Sequence, residues 1–268
     1  MTQSRDSLGP ALLALLASHR SIRRFQERPV DPFMIDSVVD NAVSGTSSYG
    51  NLNCASIVVT RAADRLVLLR GLHFDQPTVM GAPAILTVCA DTARVRAWLA
   101  LNDAPDNFGN LQGFMVAAID AALLAQSVAL GLEAYGLGIC FLGTTLDRCT
   151  EIAEFLELPQ SCVPITSLAV GYPDEAPLRR DRLPLAAYLH HERYHAPSLD
   201  RLAGLYSERD QSGWCRVLAS GIGPEALDAQ GIRNFAQYCT SAKRYSPDQF
   251  EQTSVALDRL LRQHGFIP

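Results

Sequence analysis

His191-Glu192-Arg193-Tyr194-His195 presents two imidazoles four positions apart with a carboxylate beside the first. On an α-helix that spacing offers two ligands and a general base to one zinc ion. The pattern works only on a helix, and Pro197 obliges any helix here to stop at about His195. A catalytic zinc needs a third protein ligand as well, and the continuation HAPSLDRLAG contains no further His or Glu. The segment therefore reads as exposed polar chain, no metal is expected, and the chemistry has to be sought elsewhere.

Two groups of cations are better placed for it. His19, Arg20, Ser21 and Arg23 crowd into HRSIRRF, and Arg179, Arg180 and Arg182 into LRRDRLP some 160 residues later. Guanidinium forks match phosphate oxygens two at a time, and a Ser hydroxyl adds a third bond. The chain as a whole is mildly acidic, with 23 Lys and Arg against 28 Asp and Glu and a net charge of −5. That balance argues against a nucleic-acid binder, which needs a broad basic face. Two basic loops in an acidic chain point instead to one shared small anion.

The elements that must position these residues follow from periodicity and punctuation. Helices are expected near 8–18, opened by Ser7 with Pro10 in the first turn, and near 32–44 behind Asp31-Pro32, with a loop over GTSSYGNLN at 45–53. Short β-type runs, ASIVVTR and APAILTVCAD, flank a helix near 62–71. Next come a long helix at 114–135, a strand over GICFLG, a helix near 147–157 and a strand over VPITSLAVGYP. The long helix approaches membrane-spanning length, but Asp120, Gln126 and Ser127 would be costly in lipid, so it is expected to be a core helix buried nearly all round by its own domain or a partner subunit. No membrane association is expected. The first helix is too short, and its flank too weakly basic, for a secretory signal. Seven scattered cysteines without a C-x-x-C pair indicate reduced thiols and a cytoplasmic protein. Alternating helices and strands up to about 195 indicate a layered α/β or α+β domain, here 1–197, followed by a helical extension, 198–268, packing on the body or on a partner.

The glycines of EAYGLGICFLGT do not make a dinucleotide fingerprint, because they follow a helix and precede a strand, the reverse of the required order. Taken together, in order and spacing, HRSIRRFQERPV, TSSYGNLNCASI, GLGICFLGT and GYPDEAPLRRDRLP resemble the flavin-dependent nitroreductase family, and within it the NADPH-preferring nitroreductases and flavin reductases. The resemblance runs from about residue 12 to 200.

It implies an α+β homodimer with a mostly antiparallel central sheet flanked by helices, and FMN bound at the subunit interface. Carried onto this chain, it places His19, Arg20, Ser21, Arg180 and Arg182 at the FMN phosphate and ribityl side, and Arg23 by the N1/O2 edge of the ring. It places Gln76 at the pyrimidine edge, Ser48 against the cofactor of the other subunit, and Phe141, Leu142, Gly143 and Thr144 near N5. Relatives often have a second Gly at position 144. The implied activity is hydride transfer from NADPH through flavin N5 to a nitroaromatic, quinone or similar electron-poor small molecule, in two half-reactions in one pocket. Because the cofactor carries the chemistry, no catalytic side chain is expected. A flavin reductase feeding a partner monooxygenase is the alternative, and a flavin-binding protein without turnover a third. Lys243 and Arg244 match the basic pair that relatives use for NADPH, with Arg201, Arg209 or Arg216 as other candidates.

Overall fold

In the computed structural model, which describes residues 5–268, the helical pattern at the start is already established at Arg5, so α1 (Arg5–Ser18) contains Ser7 rather than starting from it. Asp31 caps α2 (Pro32–Gly45): its carboxylate accepts from the Phe33 amide, while Pro32, which has no N–H to satisfy, takes the first helical position. A 3-10 turn at Tyr49–Asn51 leads into β1 (Ala55–Thr60). Then follow α3 (Ala63–Leu72), the single turn α4 (Pro77–Met80), β2 (Ala84–Asp91) and α5 (Ala93–Leu101).

The long helix α6 (Leu111–Ala134) is capped by Asn110, whose side chain accepts from the Gly113 amide. It ends in a Schellman-type turn in which Leu137 N–H reaches back to Leu132 O at 3.1 Å and Gly136 takes a φ of 78°. Behind it come β3 (Gly138–Leu142), α7 (Thr144–Asp147), α8 (Cys149–Phe155) and β4 (Cys162–Gly171).

The four strands form one antiparallel sheet in the order β1-β2-β4-β3. β2 is central and every one of its residues is buried, which explains why AILTVCAD reads as a continuous apolar run rather than alternating. Leu86 and Val88 of β2, with Leu168 and Val170 of β4, pack beneath α2 and α6 through Ile35, Val38, Leu124 and Val128. The opposite face, Ile85, Ala169 and Cys140, lies against Leu69 of α3, Val79 of α4 and Ile152 of α8. The sheet thus carries helices on both faces, as the layered α+β expectation requires. Three helices before β4 lie outside the elements expected from sequence, α4, α5 and α7. The second buries only Val95 and exposes Trp98 and Leu101, so it lacks the apolar stripe that announces a helix.

α6 is long and apolar enough to cross a membrane by length and composition, but one side of it is the core just described and carries the buried Asp120. The other side is left uncovered by the chain itself. Leu111, Met115, Ile119 and Leu123, four residues apart on one stripe, are each about half exposed. The protein's own core therefore covers only one face of this helix.

The chain divides into two compact units, one formed by residues up to Leu178 together with Thr253–Pro268, the other by Arg179–Gln252. The division falls earlier than 197/198, because beyond β4 the chain has no strand to hold it to the sheet and only a 3-10 turn at Leu185–Ala187 before the next helix. The second unit contains α9 (Leu199–Leu218), α10 (Pro224–Asp228), α11 (Phe235–Cys239) and the start of α12 (Pro247–Gln263), around a small core of Val217, Leu227, Ile232 and Phe235. The terminal residues do not belong to that extension. Leu260, Leu261 and Phe266 bury themselves among Val95, Phe114 and Val163 of the first unit, with Phe266 edge-on to Phe114 at 5.6 Å.

Candidate functional site

Three distant segments converge on the strand-to-helix junction at residues 138–144. After α1 the chain runs extended along β3: Ser21 forms a parallel bridge with Ile139, and the Ile22 amide donates to Ile139 O at 2.9 Å. Farther on, Phe25 bridges Pro173 and the Gln26 amide donates to Tyr172 O. Glu175 Oε1 accepts from the amides of Arg23 and Arg24 at 2.5 and 3.1 Å. The HRSIRRF and GYPDEAP motifs therefore meet in space. Two glycines make room for this. Gly138 and Gly171 are cross-strand partners; a Cβ at Gly138 would lie 2.7 Å from the Ile22 side chain, and one at Gly171 2.6 Å from Pro83 and 2.9 Å from Phe25. Real Cβ atoms do not approach so closely, so the tight packing of this segment on the sheet depends on those two residues.

The cations of the segment are used unequally. His19 Nδ1 lies 2.6 Å from Glu133 Oε1 at the end of α6, so this imidazole already has an internal partner. Arg24 pairs loosely with Glu175 at 3.7 Å. Arg20 donates to carbonyl oxygens at the end of α1, those of Ala17, Ser18 and His19. The Arg23 guanidinium donates, among the described residues, only to Ser21 O, at 3.3 Å. Neither the Arg20 nor the Arg23 guanidinium is paired with a carboxylate among the described residues. Two guanidinium groups without counter-charge, one half-buried and one exposed, form a donor set suited to an anionic group.

On the other side of the junction, Phe141 is exposed, Leu142 is buried beneath it, and Gly143 has open space where a Cβ would stand. Thr144 opens α7, and its Oγ1 is held at 2.9 Å by both Gln76 Nε2 and His73 Nδ1. Gln76 is delivered there by a turn in which Phe74 and Asp75 adopt successive left-handed conformations, φ 61° and 45°, an arrangement that costs non-glycine residues about 1–3 kcal/mol each. His73 is fully buried, and burial lowers its pKa from 6.5 to about 4. Because the folded value is the lower one, the stability contributed by neutral His73 is complete above pH 6.5. It is lost as the pH falls from 6.5 through 4, a window worth about 3 kcal/mol. Unfolding free energies measured between pH 7 and 4 should show this decline in the native sequence and a correspondingly shallower one in His73→Leu.

Ser48 lies elsewhere, in a concavity of about 370 Å³ lined in part by Thr46, Ser47, Asn53, Arg94 and Asp120. Its hydroxyl donates to Asp120 Oδ2 at 2.6 Å and accepts from the Asn53 amide at 2.7 Å. Asp120 accepts in addition from the amides of Tyr49 and Cys54, both at 3.0 Å. A single buried carboxylate thus shapes the 48–54 loop, whose Asn51 and Asn53 take positive φ, a conformation Asn tolerates better than most.

The remaining candidates lie in the second unit. Arg180 and Arg182 flank Asp181, which accepts from Ser212 and pairs with Arg216 at 3.5 Å in α9. Of the alternative nucleotide cations, Arg209 pairs with Asp210 and packs over Tyr206 and Phe235, and Arg216 is engaged as described. The Arg201 amide donates to the capping Ser198 hydroxyl. Lys243 and Arg244 are exposed in a turn, with the Arg244 guanidinium 5.0 Å from the Tyr245 ring centroid. The HERYH segment is not helical. The His190 ring lies tilted against Tyr194, 4.5 Å between centroids, and accepts from the His195 amide, so His191 and His195 do not share the helix face that the zinc pattern needs.

Comparison with known proteins decides the family. The model of the nitroreductase family matches residues 16–172. The chain belongs to that family. The match covers the segment after α1, the sheet and the 138–144 junction, and ends before Arg180. Within the family, the chain is 31% identical to the oxygen-insensitive NADPH nitroreductase of Salmonella typhimurium over 200 residues, 74% of this chain and 80% of that one. It is 28% identical to the FMN reductase (NAD(P)H) of Bacillus subtilis over 222 residues, covering 76% and 88% respectively. A crystal structure from Bacteroides fragilis shares the fold with a TM-score of 0.84 and 31% identity over 95% of this chain and all of that one.

His73, Asp120 and Glu175 are not among the site residues that the sequence motifs contain. Asp120 left a signal, an acid in the middle of an apolar helix, which implies buried partners. His73 left none, because its partner Thr144 is 71 residues away.

Proposed function

We propose that the protein is an FMN-dependent oxidoreductase that takes reducing equivalents from NADPH and delivers them, in two half-reactions in one pocket, to an electron-poor small molecule such as a nitroaromatic or a quinone. Relatives with NADPH nitroreductase and FMN reductase activity in their names support the class. The observation that carries the reading is the convergence of the Arg20–Arg23 segment, the Phe141–Thr144 turn and Gln76 around one junction. It provides unpaired cations for a phosphate, an open backbone strip for a flat ring and an amide for its polar edge.

When bound, FMN supplies hydride acceptance and donation at its ring. The residues of this chain do the rest. Arg20 and Arg23 hold the anionic parts of the cofactor, Ser21 adds a hydroxyl, Gln76 and Thr144 orient the ring, and exposed Phe141 and Gly143 leave space for a second planar molecule. The phosphate contacts of His19, Arg180 and Arg182 rest on the resemblance alone. We assign the exposed stripe of α6, with Leu8, Leu12 and Leu16 of α1, to the interface of a homodimer, since large exposed apolar surface marks an interaction site. Ser48 would serve the partner's cofactor across it.

A second reading is favoured by the relatives named as FMN reductases: free flavin as the acceptor. Steady-state turnover with nitrofurazone, a benzoquinone and free FMN separates the two, with faster turnover of the first pair expected. Faster turnover of FMN would assign the protein as a flavin reductase.

For NADPH, the exposed Lys243 and Arg244 are free of competing carboxylates among the described residues, unlike Arg209 and Arg216. Converting both to Ala is expected to raise KM for NADPH about tenfold or more with little change for NADH, because a basic pair gains most from the 2′-phosphate. Equal losses with both nucleotides would assign the pair to folding.

A further inference from the structure

Thr144 is unusual in its surroundings. Its hydroxyl oxygen has three directions available beyond Cβ, one for its own proton and two for lone pairs. Gln76 Nε2 occupies one as a donor and His73 Nδ1 another, each at 2.9 Å. Which kind of group is left for the third direction depends on His73. If Nδ1 carries the imidazole proton, both neighbours donate and the Thr144 proton must point outward. If Nε2 carries it, Thr144 spends its proton on His73 and presents only a lone pair.

The burial of His73 discriminates between the two. The ring is fully buried, and its Nε2 has no hydrogen-bond partner among the described residues. An orphaned N–H in such a place is the costlier defect, since buried N–H groups are almost always paired whereas acceptors are left under-satisfied somewhat more often. The arrangement that avoids it puts the proton on Nδ1, where Thr144 accepts it. Thr144 itself is half-buried and adjoins the open space at Gly143.

We propose that Thr144 presents a hydrogen-bond donor to the flavin ring along Phe141–Gly143, and that His73 is a positioning residue that holds the hydroxyl in that sense. The inference rests on the FMN assignment made above. It gives this chain a side-chain donor at a position that is often glycine in the resembling family, and a donor there favours the reduced ring, which is the more electron-rich state.

Two measurements test it. In protein carrying 15N-labelled histidine, the nuclear magnetic resonance signals of His73 should show a protonated Nδ1 and a bare Nε2, with or without FMN. A proton on Nε2 would overturn the proposal directly. In FMN-loaded protein, Thr144→Val should lower the flavin midpoint potential, weakening the reduced form about fivefold relative to the oxidised, as expected for loss of one neutral hydrogen bond. Thr144→Ser should match the native value, and His73→Asn, which keeps an N–H near Nδ1, should lie closer to native than His73→Leu. An unchanged or raised potential in Thr144→Val, with FMN still bound, refutes the donor role and leaves the flavin reading intact. A native protein that binds no FMN removes that reading, and this inference with it.

Discussion

Replacing Asp120 by Ala is expected to lower the unfolding free energy by about 4–5 kcal/mol, because hydrogen bonds to an ionised group contribute about 1.5–3 kcal/mol each and a buried donor left without one is penalised further. Ser48 Oγ and the amides of Tyr49 and Cys54 all donate to this carboxylate, and Cys54 is 1% exposed, so its amide loses a buried acceptor. Asp120→Asn keeps one carbonyl oxygen and should lose less. Urea unfolding reads both effects. The 48–54 loop should loosen in Asp120→Ala, seen as faster amide exchange at Tyr49 and Cys54. A loss of under about 1 kcal/mol would show that the loop holds its shape without the acid.

The double change Arg20→Ala with Arg23→Ala is expected to weaken FMN binding by roughly a thousandfold, from two charge-assisted contacts of about 1.5–3 kcal/mol each. The fold should survive it. Among the described residues the Arg23 guanidinium donates only to a neighbouring carbonyl and that of Arg20 only to carbonyls where α1 ends, so little native structure depends on either side chain. Fluorescence quenching on titration with FMN gives the dissociation constant. An unchanged value would place the phosphate away from this segment.

Much of the site was legible because its parts are local motifs with their own chemistry. HRSIRRF offers cations, and GLGICFLGT offers small residues before a turn. The strands and the long helix were legible for the same kind of reason. β2 is buried on both faces and therefore reads as a solid apolar run, while α6 carries apolar residues at almost every turn. That same property concealed which side of α6 is covered. A helix apolar all round gives no phase, and only the packing shows that Leu111, Met115, Ile119 and Leu123 are left outside.

What stayed hidden depends on contacts distant in sequence. The pairing of Glu175 with the backbone at Arg23, of Glu133 with His19 and of His73 with Thr144 joins residues 152, 114 and 71 positions apart. No spacing rule reaches so far. Of the two supports that the sequence leaves open for the end of the chain, the body or a partner, the residues from Thr253 onward take the body. The amphipathic pattern of the last helix says that Leu260 and Leu261 are covered, but not by what.

The central claim is that this chain binds FMN and cycles it with NADPH, and the absorption spectrum of the purified protein tests it most directly. The account predicts a yellow protein with the flavin bands of about one FMN per chain, bleached by NADPH in the absence of oxygen and restored by a quinone. A colourless protein that takes up no FMN on reconstitution, or a yellow one whose bands NADPH and NADH both leave unchanged, would contradict it.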